Sequence, residues 1–137
     1  MTEIYVLDSF ALLAVLGGEP GGKQVTQLLQ QAQEGVVRAL MSWVNLGEVG
    51  YMVERRWGRE RFFHVLGTLE MTALELVPVE RGLALAAAHI KASHPVAYAD
   101  AFAAALAMET SATLLTGDPE FRLLEDVLPI TWLSQSK

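Results

Sequence analysis

Ile4-Tyr5-Val6-Leu7 is an unbroken apolar run of strand-forming residues, the pattern of a strand covered on both faces rather than of one with a wet side. Asp8 ends it. Ser9 then suits the cap of a helix through Phe10-Ala11-Leu12-Leu13-Ala14-Val15-Leu16, which Gly17-Gly18 stops. Glu19-Pro20 opens a second predicted helix, with Val25, Leu28, Leu29 and Ala32 on one apolar face as far as Gly35. Val36 to Met41 reads as a second strand, and Ser42 as the cap of a helix from Trp43 to about Arg56. A further helix spans Arg59 to Met71, with Phe62, Phe63, Leu66 and Leu69 inward, and Leu74 to Val77 is a third strand ended by Pro78. Two Ala-rich helices follow, Glu80 to Ala92 and Ala97 to Glu109, separated by Ser93-His94-Pro95. Thr113 to Thr116 is a fourth strand ending at Gly117-Asp118-Pro119; a turn of helix leads to a last short strand, Ile130 to Leu133.

Short apolar strands alternating with helices predict a three-layer α/β/α fold with a mostly parallel central sheet. In such sheets ligands sit beyond the carboxyl ends of the strands, where strand order reverses, and Asp8 and Asp118 are both placed at strand ends. A length of 137 residues predicts one domain, 1–137, and 52% hydrophobic residues with a mean hydropathy of +0.30 supply ample core. His89, Lys91, His94 and Asp100 interrupt the greasiest stretch, so no membrane span is expected. Ten Lys and Arg against sixteen Asp and Glu leave a net charge of −6, so bulk positive charge cannot hold a nucleic acid. A local basic patch or a bridging cation is required. With no cysteine there is no disulfide scaffold, thiolate metal site or thiol nucleophile, which fits a reducing, cytoplasmic setting.

The chain has four aspartates, and three of them, Asp8, Asp100 and Asp118, fall at element ends on the expected mouth of the sheet. Each has an ordinary alternative: Asp8 and Asp118 favour turns, and Asp100 favours the first turn of a helix. Glu48 differs, lying mid-helix among Val44, Leu46, Val49 and Met52, where a carboxylate needs a partner. If the four converge, two charges about 4 Å apart repel by roughly 4 kcal/mol at an effective dielectric near 20. A divalent cation would relieve that, and with oxygen donors only it should be hard, Mg²⁺ or Mn²⁺, which points to phosphoryl or phosphodiester chemistry. An aspartyl-phosphate phosphatase is disfavoured because position 10, where a second acid belongs, is Phe10. A non-catalytic module that binds metal, RNA or a partner is the alternative to an enzyme.

Tyr5-Val6-Leu7-Asp8-Ser9, Asn45-Leu46-Gly47-Glu48-Val49, the segment Tyr98-Ala99-Asp100-Ala101-Phe102 through Ala107, and Leu115-Thr116-Gly117-Asp118-Pro119-Glu120-Phe121 resemble, in order and spacing, the four acidic motifs of PIN-domain nucleases. The size is similar to that of VapC-type toxins of prokaryotic toxin–antitoxin pairs. The resemblance implies that Asp8, Glu48, Asp100 and Asp118 hold Mg²⁺ or Mn²⁺ and activate water for RNA cleavage, with Ser9, Asn45 and Thr116 as polar neighbours. It also implies a homodimer and an antitoxin covering the acidic mouth. Two positions depart from the family pattern: Gly117 stands where asparagine is common, and Asn45 where Ser or Thr is frequent.

Arg55, Arg56, Arg59 and Arg61 gather four of the ten basic residues around Trp57 and are candidates for RNA phosphate contacts, with Trp57 for base stacking. The same residues also suit a solvated helix end paired with Glu54 or Glu60. Leu12, Leu13, Leu16, Trp43 and Val44 are candidate lining for an antitoxin groove, although such residues are core more often than interface.

Overall fold

The computed structural model describes residues 2–135. Five strands form one sheet in the order β3-β2-β1-β4-β5, every pair parallel. In chain order the elements are β1 (Glu3–Leu7), α1 (Ser9–Leu16), α2 (Gly22–Gln33), β2 (Val37–Ser42), α3 (Trp43–Trp57), α4 (Arg59–Glu70), β3 (Leu74–Val77), α5 (Arg81–Ser93), α6 (Tyr98–Glu109), β4 (Thr113–Thr116), a 3₁₀ helix (Pro119–Leu124) and β5 (Ile130–Trp132). No described helix is long and apolar enough to cross a membrane.

Successive residues of a strand point to opposite faces, and two cores result. Val6, Leu40 and Leu114 face one way, against Ala87 and Ile90 of α5, the buried Ala101–Ala107 run of α6, and Phe121 and Leu124 of the 3₁₀ helix. Their neighbours Leu7, Ala39, Met41 and Leu115 face the other way, against Leu12, Val25, Val49, Val53, Val65 and Leu69 from α1 to α4. Helical layers on both faces explain why the strands read as continuous apolar runs. The chain walks outward from β1 to β2 and β3, then returns to place β4 on the other side of β1, so the reversal of strand order falls between β1 and β4. Leu7 pairs with Leu115, which puts Asp8 and Thr116 side by side at the carboxyl edge.

Three local expectations shift. Asp8, not Ser9, caps α1: it keeps an extended backbone and its side chain accepts from the Ala11 N–H. Helix α2 starts at Gly22 rather than Glu19-Pro20, because the Glu19 N–H bonds back to the Ala14 carbonyl and Gly18 turns the chain at φ +66°. The five residues expected to line one groove do not share a face: Leu12, Leu13 and Leu16 belong to the core under α1 to α4, Val44 packs on the α6 side, and Trp43 belongs to neither core and is exposed. Leu12 is itself core, only 2% exposed.

Candidate functional site

The mouth at the β1–β4 switch point is built around Asp8. Burial is nearly complete, and both carboxylate oxygens are engaged: Oδ1 accepts from the Ala11 N–H at 2.8 Å and Oδ2 from the Thr116 hydroxyl. Thr116 Oγ1 in turn accepts from the Asp118 N–H at 3.0 Å, and Asp118 Oδ1 caps the 3₁₀ helix by accepting from the Glu120 N–H at 2.9 Å. One chain of bonds thus sets Asp8, Asp118 and the start of the 3₁₀ helix in a fixed relation.

A second buried network ties in the helices. Ser42 caps α3 through the Asn45 N–H, and its hydroxyl donates to Asn45 Oδ1 at 2.7 Å. Asn45 Nδ2 reaches 54 residues along the chain to the Ala99 carbonyl, next to Asp100, and the Asn45 carbonyl accepts from Ser9 Oγ, next to Asp8. A fully buried amide therefore links the three helices that start at the mouth. Such networks specify one arrangement when every member is bonded, and no buried side-chain polar atom among the described residues lacks a partner.

The open side of the mouth is different. Asp100 occupies the third helical position of α6 and is 8% exposed, yet its carboxylate has no hydrogen bond or ion pair among the described residues. One oxygen each from Asp100, Asp118 and Glu120 lie within 4.8 Å of one another. The charges of Asp8 and Glu48 also bear on Asp100. The structure thus brings Asp8, Glu48, Asp100 and Asp118 into one electrostatic neighbourhood, with Glu48 half-buried on α3. Burial pushes the Asp8 carboxyl up to about 7; the bonds from Thr116 and Ala11 oppose the rise and the charges of Asp118 and Glu48 add to it. Burial, then the charges of Asp118, Glu120, Asp8 and Glu48, push Asp100 up to about 8. Carboxyls raised that far beside other carboxylates in a cleft mark a candidate functional site. The donors are all carboxylate oxygens, a set that suits a hard divalent cation.

Glu120 was not among the acids singled out from the sequence. An acid in the first turn of a short helix reads as a dipole partner, and its bond at 2.6 Å from the Ala97 N–H is a tertiary contact no local pattern reveals. The one available signal was its place two residues after Asp118 at the end of β4.

The arginines lie apart from the carboxylates. Glu48, Met52 and Arg56 are spaced four apart on α3, so Arg56 sits on Glu48's face about 12 Å further along the helix axis. Arg55 stacks over Tyr51, Arg56 over Trp57 and Arg59 over Phe63, and Arg59 Nε is 3.9 Å from the Glu54 carboxylate. These three arginines and Arg61 are all solvent-exposed. A cleft of about 630 Å³ lined by Phe10, Leu13, Met52, Arg56, Trp57 and Gln135 runs between α1, α3 and the C-terminal segment.

The PIN domain family model matches residues 5–127. The chain belongs to the PIN domain family. Solved structures similar to this PIN chain include VapBC2 from Rickettsia felis bound to a promoter DNA fragment, at 18% identity and a TM-score of 0.73 over 96% of this chain and 99% of that one. DNA-bound VapBC from Salmonella typhimurium aligns at 19% identity and a TM-score of 0.71, covering 96% and 98%. The toxin VapC20 from Mycobacterium tuberculosis, described as cleaving the sarcin–ricin loop, aligns at 18% identity and a TM-score of 0.69, covering 88% and 93%. These similarities concern the fold. No curated protein matches the sequence.

Gly117, the departure from the family pattern, has a local explanation. A Cβ there would stand 2.4 Å from the Phe10 ring and 2.5 Å from Gln135 Nε2, so those two side chains fill the space a side chain at 117 would take.

Proposed function

We propose that this PIN domain is an endoribonuclease dependent on Mg²⁺ or Mn²⁺, and the toxin of a VapBC-type pair acting in the cytoplasm. The observation that carries the proposal is the convergence of Asp100, Asp118 and Glu120 within 4.8 Å, under the added charge of Asp8 and Glu48, at the switch point of a PIN sheet. Asp8, Glu48, Asp100 and Asp118 are the residues that would hold the cation. When bound, it lowers the pKa of a coordinated water and offsets charge gathering on the phosphodiester. Asp8, locked by Ala11 and Thr116, presents its carboxylate in one orientation. Thr116 and Asn45 touch the acids or their helices and act by holding them in place, and Ser9 does the same through the Asn45 carbonyl. Arg56, with Arg55, Arg59 and Arg61, offers phosphate contacts at and around the cleft it lines with Trp57, apart from the carboxylates, and Trp57 an exposed ring for a base.

The antitoxin partner is supported by the VapBC complexes among the structural neighbours. An apolar trough of about 560 Å³ between α1, α2 and α4, presenting Val15, Leu16, Leu29 and Met71 at its surface, is the one we assign to it.

The test is cleavage of a panel of structured RNAs by wild type and by Asp100→Asn. The Asp100 carboxylate makes no hydrogen bond, so the amide leaves the fold undisturbed. Cleavage that needs Mn²⁺ or Mg²⁺, stops with EDTA and is lost in Asp100→Asn supports the reading; equal cleavage by the two proteins overturns it.

A further inference from the structure

The cleft between α1, α3 and the C-terminal segment carries two opposite charges that do not meet. Arg56 lines it from α3, and Glu19 from the turn between α1 and α2. Glu19 folds back over Gly17, where a Cβ would lie 3.6 Å from its Oε1. Neither Glu19 nor Arg56 has a hydrogen bond or an ion pair among the described residues. Arg56 instead holds its guanidinium 4.7 Å from the centre of the Trp57 ring, which leaves its N–H donors unspent. Gln135 is the third polar group: its Nε2 donates to the Gly117 and Leu133 carbonyls, both at 3.3 Å, so its Oε1 is left as an acceptor. Phe10, Met52 and Trp57 supply apolar walls.

One end of this cleft reaches the acids. Phe10 and Gln135 fill the space beside Gly117, the residue before Asp118. The other end, at Arg56, is about two turns of α3 beyond Glu48. An RNA strand with a phosphate at the acids therefore lays a neighbouring nucleotide over the cleft. The charges decide which part of that nucleotide enters. A carboxylate repels a phosphate but accepts from N–H groups, and among the RNA bases only guanine sets two adjacent N–H donors, N1 and N2, beside the acceptors O6 and N7. Arginine is the commonest partner of O6 and N7, and unpaired bases are read on these edges and packed against aromatic rings.

Resting on the ribonuclease reading above, we infer that the cleft is a guanine pocket that seats an unpaired guanosine flanking the scissile phosphate. Glu19 accepts from N1 and N2, Arg56 donates to O6 and N7, and Met52 and Trp57 enclose the base. Arg56 is then a reader of a base edge, and Arg55, Arg59 and Arg61 are left for phosphates.

Two measurements on the full chain test the pocket. The first is binding in EDTA, by fluorescence anisotropy, of labelled oligouridine RNAs carrying a single guanine, inosine or adenine. Guanine should bind at least about ten-fold tighter than adenine, with inosine, which lacks the N2 amino group, between them. Glu19→Gln, at an exposed position without a partner, should narrow the preference to about two-fold with an unchanged Tm. Trp57→Ala should weaken all three RNAs together. The second is cleavage with Mn²⁺ of an RNA hairpin with a randomised loop, its product ends sequenced: guanine should be enriched at one position flanking the cut, and less so with Glu19→Gln. Equal or undetectable binding of the guanine and adenine RNAs, or a preference that Glu19→Gln leaves intact, overturns the pocket. Metal-dependent cleavage without base preference removes the pocket and keeps the ribonuclease, whereas guanine-selective binding without cleavage keeps the pocket and removes the ribonuclease.

Discussion

The two sides of the acidic mouth use the same residue types to opposite ends. On the β1 side, Asp8 is saturated: a helix cap on one oxygen, a hydroxyl on the other, and behind it the Ser9–Asn45–Ser42 network. On the α6 side, the Asp100 carboxylate is bonded to nothing among the described residues and its oxygens open onto the mouth, facing Asp118 and Glu120. The first arrangement is complete within the protein. The second holds repulsion that the protein does not neutralise itself, and such repulsion persists only where the surrounding fold imposes it. The contrast also shows that turn chemistry and site chemistry are not rivals: Asp118 caps the 3₁₀ helix with Oδ1 while its carboxylate still faces Asp100 and Glu120 at the mouth.

The largest expected effect comes from Asp8, where the two sides meet. Asp8→Asn removes a charge from the mouth and the acceptor for the Thr116 hydroxyl, and RNA cleavage measured in single turnover should fall by roughly 100-fold or more, at the upper end of what disturbing a metal's surroundings does. Asn45→Ala attacks the bonded network and none of the acids. With the Ala99 carbonyl and Ser42 hydroxyl stripped of their partner, urea unfolding should show a loss of roughly 2–3 kcal/mol, whereas Asp100→Asn, with no bond to lose, should show none. If the two variants are equally destabilised, the distinction between the sides is wrong.

A pH series of the metal-free protein sharpens the same point with a smaller effect. Asp8 and Asp100 titrate higher in the folded than in the unfolded chain, so the folded state holds more protons between about pH 4 and their folded values near 7 and 8. Their contribution is fully present below pH 4 and is lost as pH rises to 8. The Tm in EDTA should decline from pH 5 to 8.5, less so in Asp100→Asn, and the stabilisation given by Mn²⁺ should be greater at pH 8 than at pH 5.5. A metal-free Tm equally pH-dependent in wild type and Asp100→Asn would contradict the assignment. Smallest of all is the effect of the exposed arginines, outside both sides. Reversing Arg59 and Arg61 to Glu should weaken RNA binding by a few-fold at low salt and flatten its salt dependence, with the Mn²⁺ Kd untouched.

The strands and their order of use were legible because buried parallel strands carry an unmistakable apolar signature, and Asp8 and Asp118 followed as residues just past strand ends. What stayed hidden were contacts between distant elements. Whether Ser9 or Asp8 caps α1 depends on where β1 lets go of the chain. Glu120 depends on Ala97, and the reach of Asn45 to Ala99 spans half the fold; neither has a local pattern. The expected groove lost a member for a related reason: Val44, at the start of α3, packs on the α6 side, away from Leu12, Leu13 and Leu16.

The packing of Gln135 against Gly117 also fixes the course of the chain. Its amide donates to the Gly117 carbonyl, one residue from Asp118, while the Ser134 N–H is held by Gln24. The segment after β5 is therefore pinned next to the acids as far as Gln135, whereas Glu3, at the opposite end of β1, lies on the far edge of the sheet.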